Sequence, residues 1–323
     1  MKPFVTIDEL ILLRARSNNL GLSARKKIFS SLAGNYVSHF RGRGMDYRET
    51  RIYQPGDDIR HMDWRVTART GRPHTKLFTE ERERPVFVVV DHGPAMCFGT
   101  QVTFKASVAA QLAAALAWSV SGGGDRIGGV VLSEQGCREL RPQSGRRGVL
   151  RLLQTIVDAQ GTQPVKNAAH LMKEPEAATL EVAMSRLKCV AHPGSLIFVL
   201  SDFHTLDDAA LNQVSLLARH SEMIWVFIYD PLEAEPPPPG HYTISNGREV
   251  SVFDSANPVF RRAYRERFKQ RLEKLVATCR KFGIHFLSVA TNEDVVKALH
   301  AGLLSPAKGT GNATVQQRSS YIK

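Results

Sequence analysis

The spacing of apolar residues changes character near residue 85. Before it the chain is polar and arginine-rich, with apolar positions in short helical runs. Ile7, Leu10, Ile11 and Leu13 predict a helix over residues 6–16. A less regular pattern covers 26–40. Ile59, Met62, Asp63 and Val66 fall at i, i+3, i+4 and i+7, predicting a short helix that holds Trp64. The turn "YQPGDD" leads into it: Pro55 presets its own φ, Gly56 supplies a positive φ, and Asp57 or Asp58 can cap the helix. Residues 74–81 read as extended.

After residue 85, continuous apolar blocks alternate with helical spacing. "PVFVVVD", "DRIGGVVLS", "SLIFVLSD", "EMIWVFIYD" and "GIHFLSVA" read as buried strands, with "CRELRP" pairing beside the second. Helices are predicted over 104–120, 148–159, 176–189, 206–220, 258–282 and 293–303. Two short strand-like pieces, 242–245 and 249–253, come after the "EPPPPG" break. Such alternation implies an α/β fold with a doubly wound, mostly parallel sheet. The expected organisation is an arginine-rich N-terminal region over 1–84, an α/β domain over 85–304 and a disordered polar tail over 305–323.

Composition narrows the function classes. With 43% apolar residues in 323, the chain can bury a sizeable core. The net charge of +12 points to acidic partners: nucleic acid, an anionic membrane or an acidic protein surface. Cys97, Cys137, Cys189 and Cys279 stand alone, which argues against zinc ligation and a disulfide framework. No GxxxxGK[ST] loop and no GxGxxG after a strand occurs, so the usual nucleotide folds are not predicted. The first residues carry acids and arginines inside their apolar stretch, unlike a signal peptide, and the longest apolar run, 106–120, is shorter than the roughly 20 residues of a membrane helix. The expectation is a cytoplasmic protein.

Two acids carry the candidate chemistry. Asp91 and Asp202 each end an apolar strand, and both would emerge at the carboxyl edge of a parallel sheet. Paired carboxylates there suit a hard cation or acid–base work; alternatively each caps a following helix, as Asp202 would before "FHTLDD". The pattern resembles the metal-ion-dependent adhesion site of the von Willebrand factor A fold: a strand ending Asp-x-Ser-x-Ser, a later Thr, and a later strand ending Ser-Asp. The counterparts here are Asp91-His92-Gly93-Pro94-Ala95, Thr179 and Ser201-Asp202. The resemblance implies metal-ligand roles for Asp91, Thr179 and Asp202. Gly93 and Ala95 stand where the serines would be, so two oxygens are missing. The implied site is degenerate, empty or weak toward magnesium, with no cofactor expected and the acids serving as loop caps or as acceptors for an arginine.

A second resemblance covers more of the chain. The stretch "GRGMDYRETRIYQPGDDIRHMDWRVTARTGRPHTKLFTEERERPVFVVVD" is similar to the signature of a bacterial family of unassigned function. Its members join an Arg/Asp-rich segment to an A-type domain and are commonly encoded beside MoxR-type AAA+ ATPases. Matching positions include Gly44, Tyr53, Pro55, Gly56, Asp57, Arg60, Asp63, Trp64, Ala68, Arg69, Thr70, Glu81 and Arg82. The resemblance implies a MoxR-type AAA+ partner. Many members carry an N-terminal membrane hairpin; none is expected here.

Read without the family, residues 41–84 hold eleven Arg/Lys and eight Asp/Glu, a near balance that suggests ion pairs. Arg51, Arg60, Arg65 and Arg69 can fork onto Asp57, Asp58 and Asp63, and Trp64 can cover an arginine plane. One reading makes this a weld to the α/β domain, with Trp64 and Arg69 partly buried. The other makes Arg51, Asp57, Arg60, Asp63, Trp64 and Arg69 a protein-docking face. An enzyme built on His61 and Asp63 lacks a visible nucleophile. The helix over 258–282 carries nine Arg/Lys and two Glu, with an apolar stripe through Phe260, Tyr264, Phe268, Leu272 and Leu275. Its stripe should pack on the sheet and leave the charges solvated. The resulting expectation is a non-enzymatic, chaperone-like binding adaptor working with a MoxR-type ATPase, with a nucleic-acid or anionic-membrane binder as the alternative.

Overall fold

The computed structural model describes residues 4–17, 45–55, 57–80, 85–160, 179–245 and 250–304. The less regular stretch over 26–40, the signature positions Gly44, Gly56, Glu81 and Arg82, and the tail from 305 lie outside the described residues. The chain divides into two compact units, one of Met1–Arg25 with Arg84–Lys323 and one of Lys26–Glu83.

The first helix, α1 (Ile7–Ser17), therefore groups with the α/β unit and not with the arginine-rich segment expected over 1–84. Packing explains the difference. Leu10 is fully buried, and the Trp118 indole donates to the Leu10 carbonyl at 3.0 Å. Arg14 lies over the Trp118 ring at 5.4 Å, and Val5 N–H donates to Gln160 Oε1 at 2.9 Å. Burying one leucine is worth about 1.5–3 kcal/mol, enough to fix a helix of eleven residues to its partner.

In the smaller unit, β1 (Met45–Ile52) pairs antiparallel with β2 (His74–Glu80), from Met45 opposite Glu80 to Ile52 opposite His74. The sequence pattern predicts only the second of these strands. Between them the single helix expected over 59–66 is two pieces: a 3-10 turn, Ile59–His61, and α2 (Trp64–Thr70). Asp63 makes the break. Its Oδ1 accepts the N–H groups of Arg65 and Val66, each at 3.1 Å, so it caps a new helix instead of continuing the old one. Gly71, at φ 69°, ends α2.

The larger unit is a mixed α/β fold around a mostly parallel six-stranded sheet. Its strands are β3 (Pro85–His92), β4 (Arg126–Ser133), β5 (Gly136–Ser144), β6 (Leu196–Ser201), β7 (Glu222–Tyr229) and β10 (His285–Ala290), in the spatial order β10-β7-β6-β3-β4-β5. Only β5 runs antiparallel within it. A separate hairpin, β8 (His241–Ser245) and β9 (Val250–Asp254), comes after β7. Helices α3 (Lys105–Gly122), α4 (Gly145–Ala159), α5 (Leu180–Val190), α6 (Asp208–Ala218), α7 (Pro231–Ala234), α8 (Pro258–Phe282) and α9 (Val295–Leu304) complete the unit.

The sheet separates two cores, because successive residues of a strand face opposite sides. Val86, Val88 and Val90 join a cluster with Leu10, Leu116, Leu152 and Leu299, from α1, α3, α4 and α9. Phe87 and Val89 join Leu187, Val214 and Leu275, from α5, α6 and α8. A Cβ on Gly129 would lie 2.3 Å from the Val88 carbonyl oxygen, so only glycine lets β4 sit this close to β3. From β3 the chain turns first to β4 and β5, then crosses to β6 on the other side. That reversal leaves a crevice between the carboxyl ends of β3 and β6, where ligands of open α/β sheets usually lie.

Candidate functional site

Asp91 is the last residue but one of β3, Ser201 ends β6 and Asp202 follows it, so the chain reversal itself brings these residues to one crevice. Asp91 is 6% exposed and Asp202 2%. Asp91 Oδ2 accepts the Ser201 hydroxyl at 2.6 Å, and Oδ1 accepts the Gly93 N–H at 2.8 Å. A Cβ on Gly93 would meet Asp91 Oδ1 at 3.1 Å, so the glycine allows the tight return of the loop onto its acid. Burial pushes the Asp91 carboxyl above its ordinary range, only partly offset by the bonds from Ser201 and Gly93, and the neighbouring Asp202 adds to the rise.

Asp202 is held differently. Its Oδ1 accepts His204 N–H at 2.9 Å, and its Oδ2 receives the Lys105 ammonium at 2.6 Å. The second partner of Lys105 is Glu233, at 3.1 Å. Both the Lys105 and Asp202 side chains are almost wholly enclosed, at 2% and 3% exposed. Arg271, from α8, donates to the Asp202 carbonyl at 2.5 Å and lies over the Phe227 ring at 5.5 Å. The residue after Asp202 is also unusual: Phe203 has φ 54°, a left-handed conformation costing of order 1 kcal/mol or more. It is held there by its N–H bond to Ser201 Oγ at 2.8 Å and by stacking on Trp225 at 4.5 Å.

The network extends past β7. Glu233 Oε2 accepts the Asp230 N–H at 2.8 Å in a capping box at the start of α7. Asp230, fully buried, accepts the hydroxyls of Thr100 at 2.5 Å and Thr291 at 2.6 Å, with N–H groups of Thr100 and Leu232. Burial alone would raise its carboxyl, but these bonds outweigh burial and hold it below the ordinary range. Hydrogen bonds and ion pairs thus run from Asp202 through Lys105, Glu233 and Asp230 to Thr291 across three strand ends.

Other expected site residues are used elsewhere. Thr179 is the N-cap of α5, its hydroxyl accepting Val182 N–H at 3.3 Å. Among the described residues no hydrogen bond joins it to Asp91 or Asp202. The expectation that Asp202 caps the next helix gives way to Asp207, whose carboxylate accepts Ala210 N–H at 2.8 Å and caps α6. The acceptor role foreseen for an arginine belongs chiefly to Lys105. Its signal was visible: it is the only charged residue in α3, at the helix end where the dipole disfavours a cation. His92 points to the opposite face of β3 from Asp91. Its Nε2 is buried without a hydrogen-bond partner among the described residues, and burial pushes its pKa down to about 4.

In the smaller unit the pairs are local. Arg51 meets Asp57 at 2.7 Å and Arg60 meets Asp58 at 2.8 Å; Asp63, busy capping α2, has Lys76 at 3.9 Å instead of an arginine. Trp64 is 67% exposed and Arg69 is exposed as well, so neither is covered by the residues of its own unit.

Along α8, Leu275 and Cys279 are buried and Phe268 and Leu272 pack beside them, as the stripe requires. The helix also makes polar contacts, from its charged residues and from Tyr264 on the stripe. Arg261 donates to the Pro237 carbonyl at 2.7 Å, Tyr264 to the Leu232 carbonyl at 2.7 Å, and Arg265 pairs with Glu235 at 2.7 Å. With Arg271 on Asp202, these tie α8 to the segment carrying Glu233.

Among the described residues no three His, Cys, Asp or Glu side chains form a group suited to a metal ion. No described helix is long and apolar enough to cross a membrane. Over 283 residues the chain is 29% identical to the uncharacterized protein Rv1480 of Mycobacterium tuberculosis and to the uncharacterized protein Mb1516 of Mycobacterium bovis, covering 87% of this chain and 86% of each relative. Two solved structures align with lower likeness. The conserved hypothetical protein BatB from Bacteroides thetaiotaomicron gives a TM-score of 0.42 at 15% identity, over 68% of this chain and 97% of that one. An aerotolerance-related membrane protein from Bacteroides fragilis gives 0.43 at 14%, over 68% and 96%. The family described as protein of unknown function DUF58 matches residues 49–274, well over half of the sequence, and the chain belongs to it.

Proposed function

We propose that this protein is a non-enzymatic, chaperone-like binding adaptor of the cytoplasm that works with a MoxR-type AAA+ ATPase, and that its larger unit is a von Willebrand factor A-like domain. The observation that carries this reading is the state of the carboxyl edge. Its acids are already engaged, Asp91 with Ser201 and Gly93, Asp202 and Glu233 with Lys105. Beside them the β3–α3 loop presents Phe98 and Val102, at 39% and 56% exposed. The Phe98 ring lies 5.8 Å from the Lys105 ammonium, so this apolar surface adjoins the crevice. An edge with engaged acids and uncovered apolar residues suits docking better than chemistry. The ATPase as partner is supported by the likeness of the Arg/Asp-rich signature to its family.

Co-purification with the ATPase, with and without ATP, tests the proposal. Phe98→Ser with Val102→Ser should weaken the complex if the edge docks; Trp64→Ala with Arg60→Glu should weaken it if the signature does. Absence of a complex in every nucleotide state would defeat the adaptor reading. Buried Asp91 and Asp202 are unsuitable probes, since their removal disturbs the fold.

The second reading, an anionic partner such as nucleic acid or membrane, draws on the charge of +12 and the exposed cations Arg262, Arg267, Lys269, Lys274, Arg280 and Lys281 of α8. Phosphate binding would collapse steeply as salt rises, while an apolar protein interface would lose less.

A further inference from the structure

A hard divalent cation needs several oxygens with free lone pairs, and magnesium needs them in near-octahedral array. Among the described residues, the donor set in the crevice between β3 and β6 does not fit that demand. Asp202 Oδ2 is held by Lys105 Nζ at 2.6 Å, and Glu233 Oε1 by the same ammonium at 3.1 Å. Asp91 is bound to Ser201 and to Gly93 N–H, Ser201 Oγ also accepts the Phe203 N–H, and Thr179 caps its own helix. Arg271, 4.0 Å from Asp202 Oδ1, adds a second positive charge that would oppose a metal ion.

We infer that Lys105 is the built-in cation of this edge: its ammonium, tethered to α3, does the work a divalent ion would do in holding the strand-end acids together. Geometry and context agree on this role. Lys105 is the first residue of a helix in which every other residue is uncharged and most are buried. Its ammonium sits at the dipole's positive end, an unfavourable place for a lone cation, so two carboxylates must offset it. The same ammonium joins the loop after β6 to α7, and through the capping box to Asp230, Thr100 and Thr291. The edge that a partner meets is therefore set by the fold and is independent of magnesium or manganese.

The test uses the full chain and its melting temperature. Wild-type protein should melt unchanged in EDTA and in about 5 mM magnesium or manganese, since the strand-end acids Asp91, Asp202 and Glu233 are already engaged by protein donors. Lys105→Ala should lower the melting temperature by about 10 °C, as expected when one partner of a buried pair is removed. Propylammonium chloride supplies the three carbons and the amine that this substitution deletes, and it should recover much of the loss. Propanol at the same concentration, with sodium chloride matching the ionic strength, should not. Equal recovery by propanol would reduce Lys105 to a space-filler and overturn the inference. So would stabilisation of the wild type by either metal that disappears in Asp202→Asn. Should Lys105→Ala fail to fold, Lys105→Met, Asp202→Asn and their combination serve instead. The double variant should then be more stable than the sum of the two single losses predicts, and simple additivity would refute the pairing.

Discussion

Two parts of this molecule spend the same chemical resource, an acid beside a cation, to opposite effect. At the carboxyl edge of the sheet Lys105 and Asp202 meet with 2% and 3% of their side chains exposed. In the signature unit Arg60 and Asp58 meet in a forked geometry with 76% and 41% exposed. The second pair is the better drawn, two guanidinium nitrogens against one carboxylate, yet water competes for both partners and salt screens them. The first pair is plainer but cannot be broken without stranding a charge away from water. Sequence density of charge therefore misleads: the crowded segment 41–84 contains the exposed Arg60–Asp58 pair, while the nearly charge-free helix α3 contains the buried one.

The largest expected effect comes from removing the anion of the buried pair. Asp202→Ala leaves the Lys105 ammonium with Glu233 alone, and also deletes the acceptor of His204 N–H. The expected loss is about 3–5 kcal/mol, read from urea denaturation with m-values checked for constancy. A loss no greater than that of an exposed residue would show that the pair is solvated in solution and would dissolve the contrast.

Next in size is a pH effect. The His92 imidazole has its pKa lowered from 6.5 to about 4 by burial, so the fold favours its neutral form. A base shifted down contributes stability that is complete above pH 6.5 and is lost as pH falls through that value toward 4. The shift corresponds to about 3 kcal/mol between the two ends. Asp91 acts with the opposite sign, because its raised carboxyl makes protonation favour the folded state. Comparing wild type with His92→Leu separates the two: the variant should show a flatter stability profile between pH 6.5 and 4. Parallel profiles would mean that His92 is hydrated or protonated in the fold.

Smaller again are the hydroxyls that hold Asp230 beneath its ordinary range. Thr100→Val and Thr291→Val each remove one short hydrogen bond to a buried carboxylate and keep side-chain shape. Each should cost about 1.5–3 kcal/mol, the range for bonds to a charged acceptor, and the two losses should not add, because both donors serve one acid. Thermal denaturation of the single and double variants checks both statements.

How much of this is legible in the sequence depends on what sets each feature. The strands 85–91 and 195–202 are readable because a strand covered on both faces is a run of apolar residues, as Phe87–Val90 and Ile197–Leu200 are. Strand β1, "MDYRETRI", has no such run and escapes the pattern; its partner β2 specifies it through backbone pairing, which leaves little trace in side-chain order. The break at Asp63 escapes it too, because Asp63 falls in phase with Ile59, Met62 and Val66 and so reads as one position of a continuous helix, whereas here it caps a new one. Asp91 and Asp202 stand out because they end apolar strands. Glu233 does not, since α7 is four residues long and its capping box closes only when Asp230 emerges from β7. Lys105 carries the clearest unread signal, a single charge heading an alanine-rich helix, which has no reason to be tolerated unless counter-charges from distant strands converge on it.

The smallest effect is expected at Arg60 and Asp58, and it sharpens the comparison most because it separates a titration from a stability. The side-chain bond from Arg60 lowers the Asp58 carboxyl to about 2, with the Arg60 backbone N–H as the next cause. A depressed carboxylate contributes stability above its unfolded pKa that is lost as pH falls toward about 2, provided the interaction survives solvent. Here it meets bulk water on both partners, and the long arginine side chain must be ordered to form it. Two measurements on Arg60→Ala should therefore diverge. Carboxyl NMR should show the Asp58 titration moving up toward its ordinary value, held short of it by the N–H of residue 60, which the alanine keeps. The urea midpoint should stay where it was. Raising salt on the wild type should reproduce part of the titration shift without the substitution, since screening weakens an exposed pair and hardly touches a buried one. If instead Arg60→Ala shifted the midpoint as strongly as the change at Thr100, the forked pair would be an organising contact of its unit, and exposure would no longer be the variable that separates the two regions.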